Sequence, residues 1–153
     1  MGSILEDLEI GAKWIVDALN ESGYAVDFSP ASLWQVEFFF EDHVVSGRPV
    51  RGGLLAKDMG GRIFSLGAYV GEVIRRARGG EWVGDESDPA AEINVELHLP
   101  DGTVCWPIQR VMKRFKQGPE DSISAYGLSL GLNIGPRPEH QSWVPKRPWW
   151  KFW

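Results

Sequence analysis

Cysteine is almost missing from this chain: Cys105 is the single one in 153 residues. No disulfide can close within it, so the core must hold without covalent staples, and a lone thiol is the pattern of a reducing compartment. Basic residues are missing from the start, where a secretory leader would carry them. Glu6, Asp7 and Glu9 stand there instead, and the expectation is a cytoplasmic protein. No window holds the roughly 18 uninterrupted apolar residues of a membrane span. G-x-G-x-x-G, the Walker loop and G-x-S-x-G are all absent. His43, His98 and His140 are too scattered to suggest a transition-metal site. Neither a cofactor nor a metal is implied. A net charge of −5 argues against a general binder of nucleic acid, which needs a basic surface.

What is present reads as one globular domain with an unusual end. With 43% hydrophobic and 24% charged residues, the composition suits a folded α+β chain rather than a disordered one. A chain of this length buries roughly two-thirds of its unfolded surface, enough for a core. Its charge is segregated. Residues 136–153 hold Arg137, Lys146, Arg147 and Lys151 against Glu139, a balance of +3 that leaves −8 for the body. Residues 47–80 carry seven basic and two acidic side chains, whereas 81–101 carry seven acidic and none basic. The division expected is a domain over 1–135 and an irregular, Trp-rich basic tail over 136–153.

Along the body, Ile4, Leu8, Ala12, Ile15 and Leu19 recur at helical spacing, predicting a helix from about Ser3 to Asn20. Ser29-Pro30 is an N-cap followed by proline at the first helical position, opening a second helix to about Val45. A third, apolar nearly all round over residues 63–74, should be central and buried, running to Arg78 from Leu54 or Gly61. Gly67 and Gly71, four apart on one face, predict close approach of another backbone. Pro107 and Pro119 open a fourth and a fifth helix, the latter reaching Gly131. Between them lies β structure: a short strand over 81–84, then alternation of Ile93, Val95, Leu97 and Leu99 with polar residues. Asp101-Gly102 signals a hairpin. The fold predicted is thus α+β, four or five helices on a small antiparallel sheet containing a hairpin at about 92–106.

A two-residue Asp101-Gly102 turn would set Leu99 opposite Val104 and His98 opposite Cys105. Leu97, Leu99, Val104 and Trp106 would then share the core face. Opposed hairpin side chains have Cβ atoms about 5 Å apart. His98 could therefore activate the Cys105 thiol, with Glu96 orienting the ring. The bland alternative is a polar strand face with an incidental thiol. Glu72 is the other candidate, a charge in an apolar helical run that needs a partner or a raised pKa. Arg75 and Arg76 lie three and four residues on, and Arg110 or Arg114 could reach it across the core. Asp85, Glu86, Asp88 and Asp101 lack the spacing of a calcium loop and read as a solvated acidic stretch.

The stretch from Trp143 to Trp153 packs five aromatics and three cations into eleven residues. It can fold back on the acidic body, sit at an anionic membrane interface, or anchor a protein partner through Trp143, Trp149, Trp150, Phe152 and Trp153. Pro148 interrupts any amphipathic helix there, which weakens the membrane reading.

Several stretches carry a resemblance: Leu66-Gly-Ala-Tyr-Val-Gly-Glu-Val-Ile-Arg75 with Gly80-Glu-Trp82, then Trp106-Pro-Ile-Gln-Arg-Val-Met-Lys-Arg-Phe115 with Glu120-Asp-Ser-Ile-Ser-Ala-Tyr126. Over roughly residues 10–131 the chain resembles small uncharacterised bacterial domain families with no assigned activity. The resemblance implies no catalytic residue. Bacterial immunity and accessory proteins offer a loose analogy of fold. The leading expectation is a non-enzymatic cytoplasmic protein-binding module of accessory or immunity type. The alternatives are a small enzyme using Cys105 and His98, or Glu72, and a peripheral membrane protein held by its tail.

Overall fold

The computed structural model describes residues 3–143. Its first helix, α1 (Ile4–Glu21), begins at Ser3, whose hydroxyl accepts the Glu6 N–H while Glu6 reaches back to the Ser3 N–H. This reciprocal cap satisfies two otherwise orphaned donors. The predicted stripe of Ile4, Leu8, Ala12, Ile15 and Leu19 is the buried face. Pro30 opens a single 3₁₀ turn (Pro30–Ser32) that leads into α2 (Leu33–His43). There the predicted helix to Val45 stops short, because β-branched Val44 and Val45 form β1 and pair with β2 (Arg48–Pro49).

A 3₁₀ turn at Leu54–Ala56 precedes α3 (Met59–Arg78), the central helix. Leu66, Ala68, Tyr69, Val70, Val73 and Ile74 are fully buried along it, as the all-round apolar pattern required. The two predicted close approaches take different forms. A methyl group at Gly67 would stand 2.7 Å from Ile108 Cα, so the backbone of α5 (Pro107–Gln117) lies against that position. At Gly71 it would stand 2.1 Å from the Trp82 ring, so an indole fills the place expected for a backbone.

The second sheet, of three strands, has the order β3 (Glu81–Val83), β4 (Glu96–His98), β5 (Val104–Cys105), all antiparallel. α6 (Ile123–Ser129), preceded by a 3₁₀ turn at Pro119–Asp121, closes the core against α2. The protein is α+β, with six helices and two small antiparallel sheets among the described residues. The sixth helix, unforeseen in the sequence, is the single turn α4 (Ala91–Asn94).

That turn corrects the strand expected from residue 92. Asp88 brackets it, accepting from the Ala90 N–H at 2.8 Å and from Asn94 Nδ2 at 2.9 Å. Aspartate competes well for local backbone donors, and the period-2 run consequently starts only at Val95. Val95, Leu97 and Leu99 are buried, but Ile93 is 40% exposed.

Beyond the last helix the chain continues over α2. Leu132 and Ile134 enter the core. Gly135 O accepts from Trp34 Nε1, Arg137 pairs with Glu41 at 2.7 Å, and the His140 ring stacks on Phe38 at 4.3 Å. Residues 136–143 thus lie on the body, basic side chains against acidic ones. Trp149, Trp150, Phe152 and Trp153 fall outside the described residues.

Candidate functional site

The hairpin decides the fate of the predicted thiol–imidazole pair. Leu99 and Thr103 bracket a three-residue loop, with Leu99 N–H donating to Thr103 O and Gly102 N–H to Leu99 O. Pro100 and Asp101 form a type I turn, and Gly102 takes the left-handed conformation (φ 91°) that completes a bulged hairpin. The loop is one residue longer than the sequence suggested, and the register slips accordingly. Leu97 faces Cys105 and His98 faces Val104. A one-residue slip sends side chains to opposite faces. Cys105 is buried with Leu97 and Leu99, whereas Val104 is half-buried and Trp106 is 41% exposed. His98 points to solvent and bonds Glu96 at 2.7 Å. The expected His98–Cys105 dyad is therefore not formed, although Glu96 does orient His98. Burial pushes the Cys105 thiol up, against a smaller opposing effect of the Tyr126 hydroxyl.

Glu72 sits in an open cleft of about 640 Å³ between α1, Phe28, the second half of α3 and Trp82. Its carboxylate accepts from Arg75 Nε at 2.6 Å, Arg75 Nη2 at 2.9 Å and Trp82 Nε1 at 2.9 Å, and Arg76 lies 3.7 Å away. Burial alone would raise this carboxyl. The hydrogen bonds from Arg75 and Trp82 and the two guanidinium charges outweigh it and hold the group below the usual range. An ionised carboxylate so engaged has no proton to give and little basicity. The local pairing with Arg75 and Arg76 is as predicted, while the two cross-core candidates bind elsewhere.

Arg114 bonds Glu37 instead, Nε at 2.9 Å and Nη2 at 2.8 Å, with both side chains almost fully buried. The other Glu37 oxygen accepts the Ile123 N–H at 2.7 Å. Arg110 pairs with Asp121 at 3.5 Å. Glu37 went unnoticed in the sequence, although a carboxylate within Leu33-Trp-Gln-Val-Glu-Phe-Phe-Phe40 is the same signal that marked Glu72.

A third group lies at the end of α2. Tyr24 Oη donates to Asp42 Oδ2 at 2.6 Å, and His140 Nε2 bonds the same oxygen at 2.7 Å. Beside it His43 is stacked between Phe39 (4.5 Å) and Trp143 (4.2 Å), its Nε2 without a partner among the described residues. Burial pulls this imidazole down to about 4, against the charge of Asp42. Trp143, a candidate partner anchor, is thus spent on the protein's own histidine.

The acidic candidates for a cation are engaged by donors of the protein itself. Asp85 accepts from Ser87, Asp101 from the Thr103 N–H and Arg78, and Glu86 from the Ile4 N–H at the start of α1. Among the described residues no group of His, Cys, Asp and Glu is placed to hold a metal ion.

The feature that sequence reasoning missed is an apolar groove of about 230 Å³ opening between the start of α3, α4 and α5. Met59, Phe64, Ile93, Ile108, Met112 and Phe115 line it, together with Glu92 and Lys116. Met59 and Ile93 stand 41% and 40% exposed at its mouth. Ile93 reaches it only because α4 breaks the strand period, so alternation pointed this side chain into the core. Adjoining it, and sharing Glu92 and Ile93, is an acidic cup of about 300 Å³ that includes Asp7, Glu86 and Asp88.

Comparison with known proteins found no matching family model, no matching curated protein and no matching solved structure. No helix of the described residues is long and apolar enough to cross a membrane.

Proposed function

We propose that this chain is a non-enzymatic protein-binding module of accessory or immunity type, acting in the cytoplasm. The observation that carries the reading is the solvent-open apolar groove between α3, α4 and α5. Met59 and Ile93 stand exposed and Phe64 and Met112 half-buried over the buried Ile108 and Phe115, and covering them with a partner is favourable by roughly 25 cal/mol per Å². The groups suited to chemistry are meanwhile committed to structural partners. Glu72 is held by Arg75 and Trp82, Cys105 is buried beside Tyr126, and His98 lies on the other face of the sheet. The cleft around Glu72 is what favours the enzymatic alternative, and it would need a proton-transfer group that Glu72 is poorly placed to be. A single buried thiol suits a reducing compartment.

The test is a photo-crosslinking amino acid placed at Ile93 in the full chain expressed in bacterial cells, with the same residue at exposed Leu128 as a control. The expected result is a discrete adduct with one protein at position 93 and none at position 128. Equal, diffuse labelling at both positions, or no adduct at either, would sink the proposal.

A further inference from the structure

The groove and the acidic cup meet at α4, and together they specify more than an apolar partner. Glu92 and Ile93 belong to both. On one side lies an almost wholly hydrocarbon surface, with Phe64, Ile108 and Met112 forming its floor. On the other, Asp7, Glu86, Asp88 and Glu92 gather within one concavity. None of these four carboxylates takes part in a salt bridge among the described residues. Three of the four, Glu86, Asp88 and Glu92, come from residues 81–101, which contain no Lys or Arg. Outside the cup six carboxylates, Glu9, Glu37, Glu41, Glu72, Asp101 and Asp121, each meet a Lys or Arg. Glu86 and Asp88 are held by neutral donors, the Ile4 N–H, the Ala90 N–H and the Asn94 amide, so four carboxylates without a cationic partner lie directly beside the apolar groove.

From that juxtaposition, and resting on the protein-binding reading above, we infer that the groove takes a cationic amphipathic segment of a partner protein. Its large apolar side chains fill the space between Met59, Phe64, Ile93 and Met112, and its Lys or Arg side chains reach the cup over α4. Lys116, also in the lining of the groove, repels a cation near it, so the segment's cationic side chains turn to the cup. Apolar burial supplies most of the affinity. The carboxylates supply on-rate, orientation and rejection of acidic competitors.

The experiment measures binding of three blocked peptides of about 14 residues to the full chain at physiological salt. The first has Leu at helical i, i+3, i+4 spacing with Lys elsewhere. The second has the same composition with the spacing scrambled. The third keeps the Leu spacing and replaces Lys by Gln. The expected order is patterned Lys peptide over the other two by tenfold or more. Glu92→Lys should weaken the patterned Lys peptide roughly tenfold and leave the Gln peptide unchanged, and Ile93→Ser should weaken both patterned peptides. Equal binding of the patterned Lys and Gln peptides overturns the cationic assignment while leaving the protein-binding groove standing. No binding of any of the three, or indifference to Ile93→Ser, removes the groove reading as well. A tenfold gain in affinity from Trp149→Ala with Trp150→Ala in the full chain would assign the surface to the protein's own C-terminal segment and overturn the inference of a separate partner.

Discussion

Replacing Arg114 by Met should be among the most damaging single changes to this protein, and replacing its partner as well should be milder. Glu37 and Arg114 have only 4% and 2% of their side chains exposed; the carboxylate accepts hydrogen bonds from Arg114 Nε and the Ile123 N–H, and Arg114 Nη2 at 2.8 Å completes the ion pair. In Arg114→Met the carboxylate stays buried with one donor and no counter-charge, which costs about 3–5 kcal/mol. Glu37→Met leaves the guanidinium stranded and the Ile123 N–H without an acceptor, so its cost lies at the upper end of that range. The double substitution removes both charges together. What remains is the unpaired Ile123 N–H, at about 1–3 kcal/mol, partly offset by the added apolar burial. For a domain of this size each kcal/mol shifts Tm by about 2–4 °C. Either single variant should therefore melt about 6–20 °C lower, and the double should melt above both. Urea titrations of all four proteins give the coupling energy directly. If the single costs simply added in the double variant, or if Arg114→Met cost less than about 1 kcal/mol, the pair would not be the buried clamp of α2, α5 and α6 that it is taken to be.

Three further perturbations follow from the geometry. Gly71→Ala sets a methyl 2.1 Å from the Trp82 ring. It should cost about 1–3 kcal/mol by overpacking and shift the Trp82 emission, and a variant with wild-type stability and spectrum would refute the contact. His43 is neutral in the folded protein, with burial pulling it from 6.5 to about 4, so the unfolded chain takes up the proton first. Its contribution is complete above pH 6.5 and lost as the pH falls toward 4. It amounts to about 2 kcal/mol between pH 7 and 4.5, and His43→Phe should lose that much less stability over the same interval in urea titrations. Alkylation of Cys105 in the folded protein should have its pH midpoint above the ordinary thiol value, because burial disfavours the thiolate. A midpoint at it would refute the burial argument, and only one below it would restore an activated thiol.

Much of this fold is legible in the sequence wherever a repeating pattern meets a local stop signal. Ser3 with Glu6, Ser29-Pro30 and Pro107 each mark a helix start at or near the observed one. The all-round apolar run of α3 foretold its central place, and Gly67 foretold the approach of α5. What stayed hidden depends on competition between nearly equal local choices. Asp101-Gly102 suits a two-residue turn, yet Pro100, favoured at the second position of a type I turn, carries the hairpin into the longer loop. That choice exchanges the surroundings of Cys105 and Val104. The partner of Arg114 was illegible for another reason: 77 residues separate it from Glu37, and no local spacing reports such a distance.

The largest consequence for function comes from one such competition, at Asp88. Read as a strand, residues 92–99 would place Ile93 on the core face beside Val95 and leave the start of α3 and the end of α5 facing water without a rim. Asp88 instead captures the Ala90 N–H and the Asn94 side chain and winds one helical turn. The turn rotates Ile93 outward across the groove and sets Glu92 at its edge. The polar candidates that drew attention in the sequence were marked by chemistry, and the structure gives each of them a structural partner. The groove has no marker in composition, because an isoleucine at its mouth and one in the core look alike until the backbone period is known. The turn that Asp88 brackets, with its own backbone hydrogen bonds, thus separates a plain half-buried strand from the surface on which the binding proposal rests.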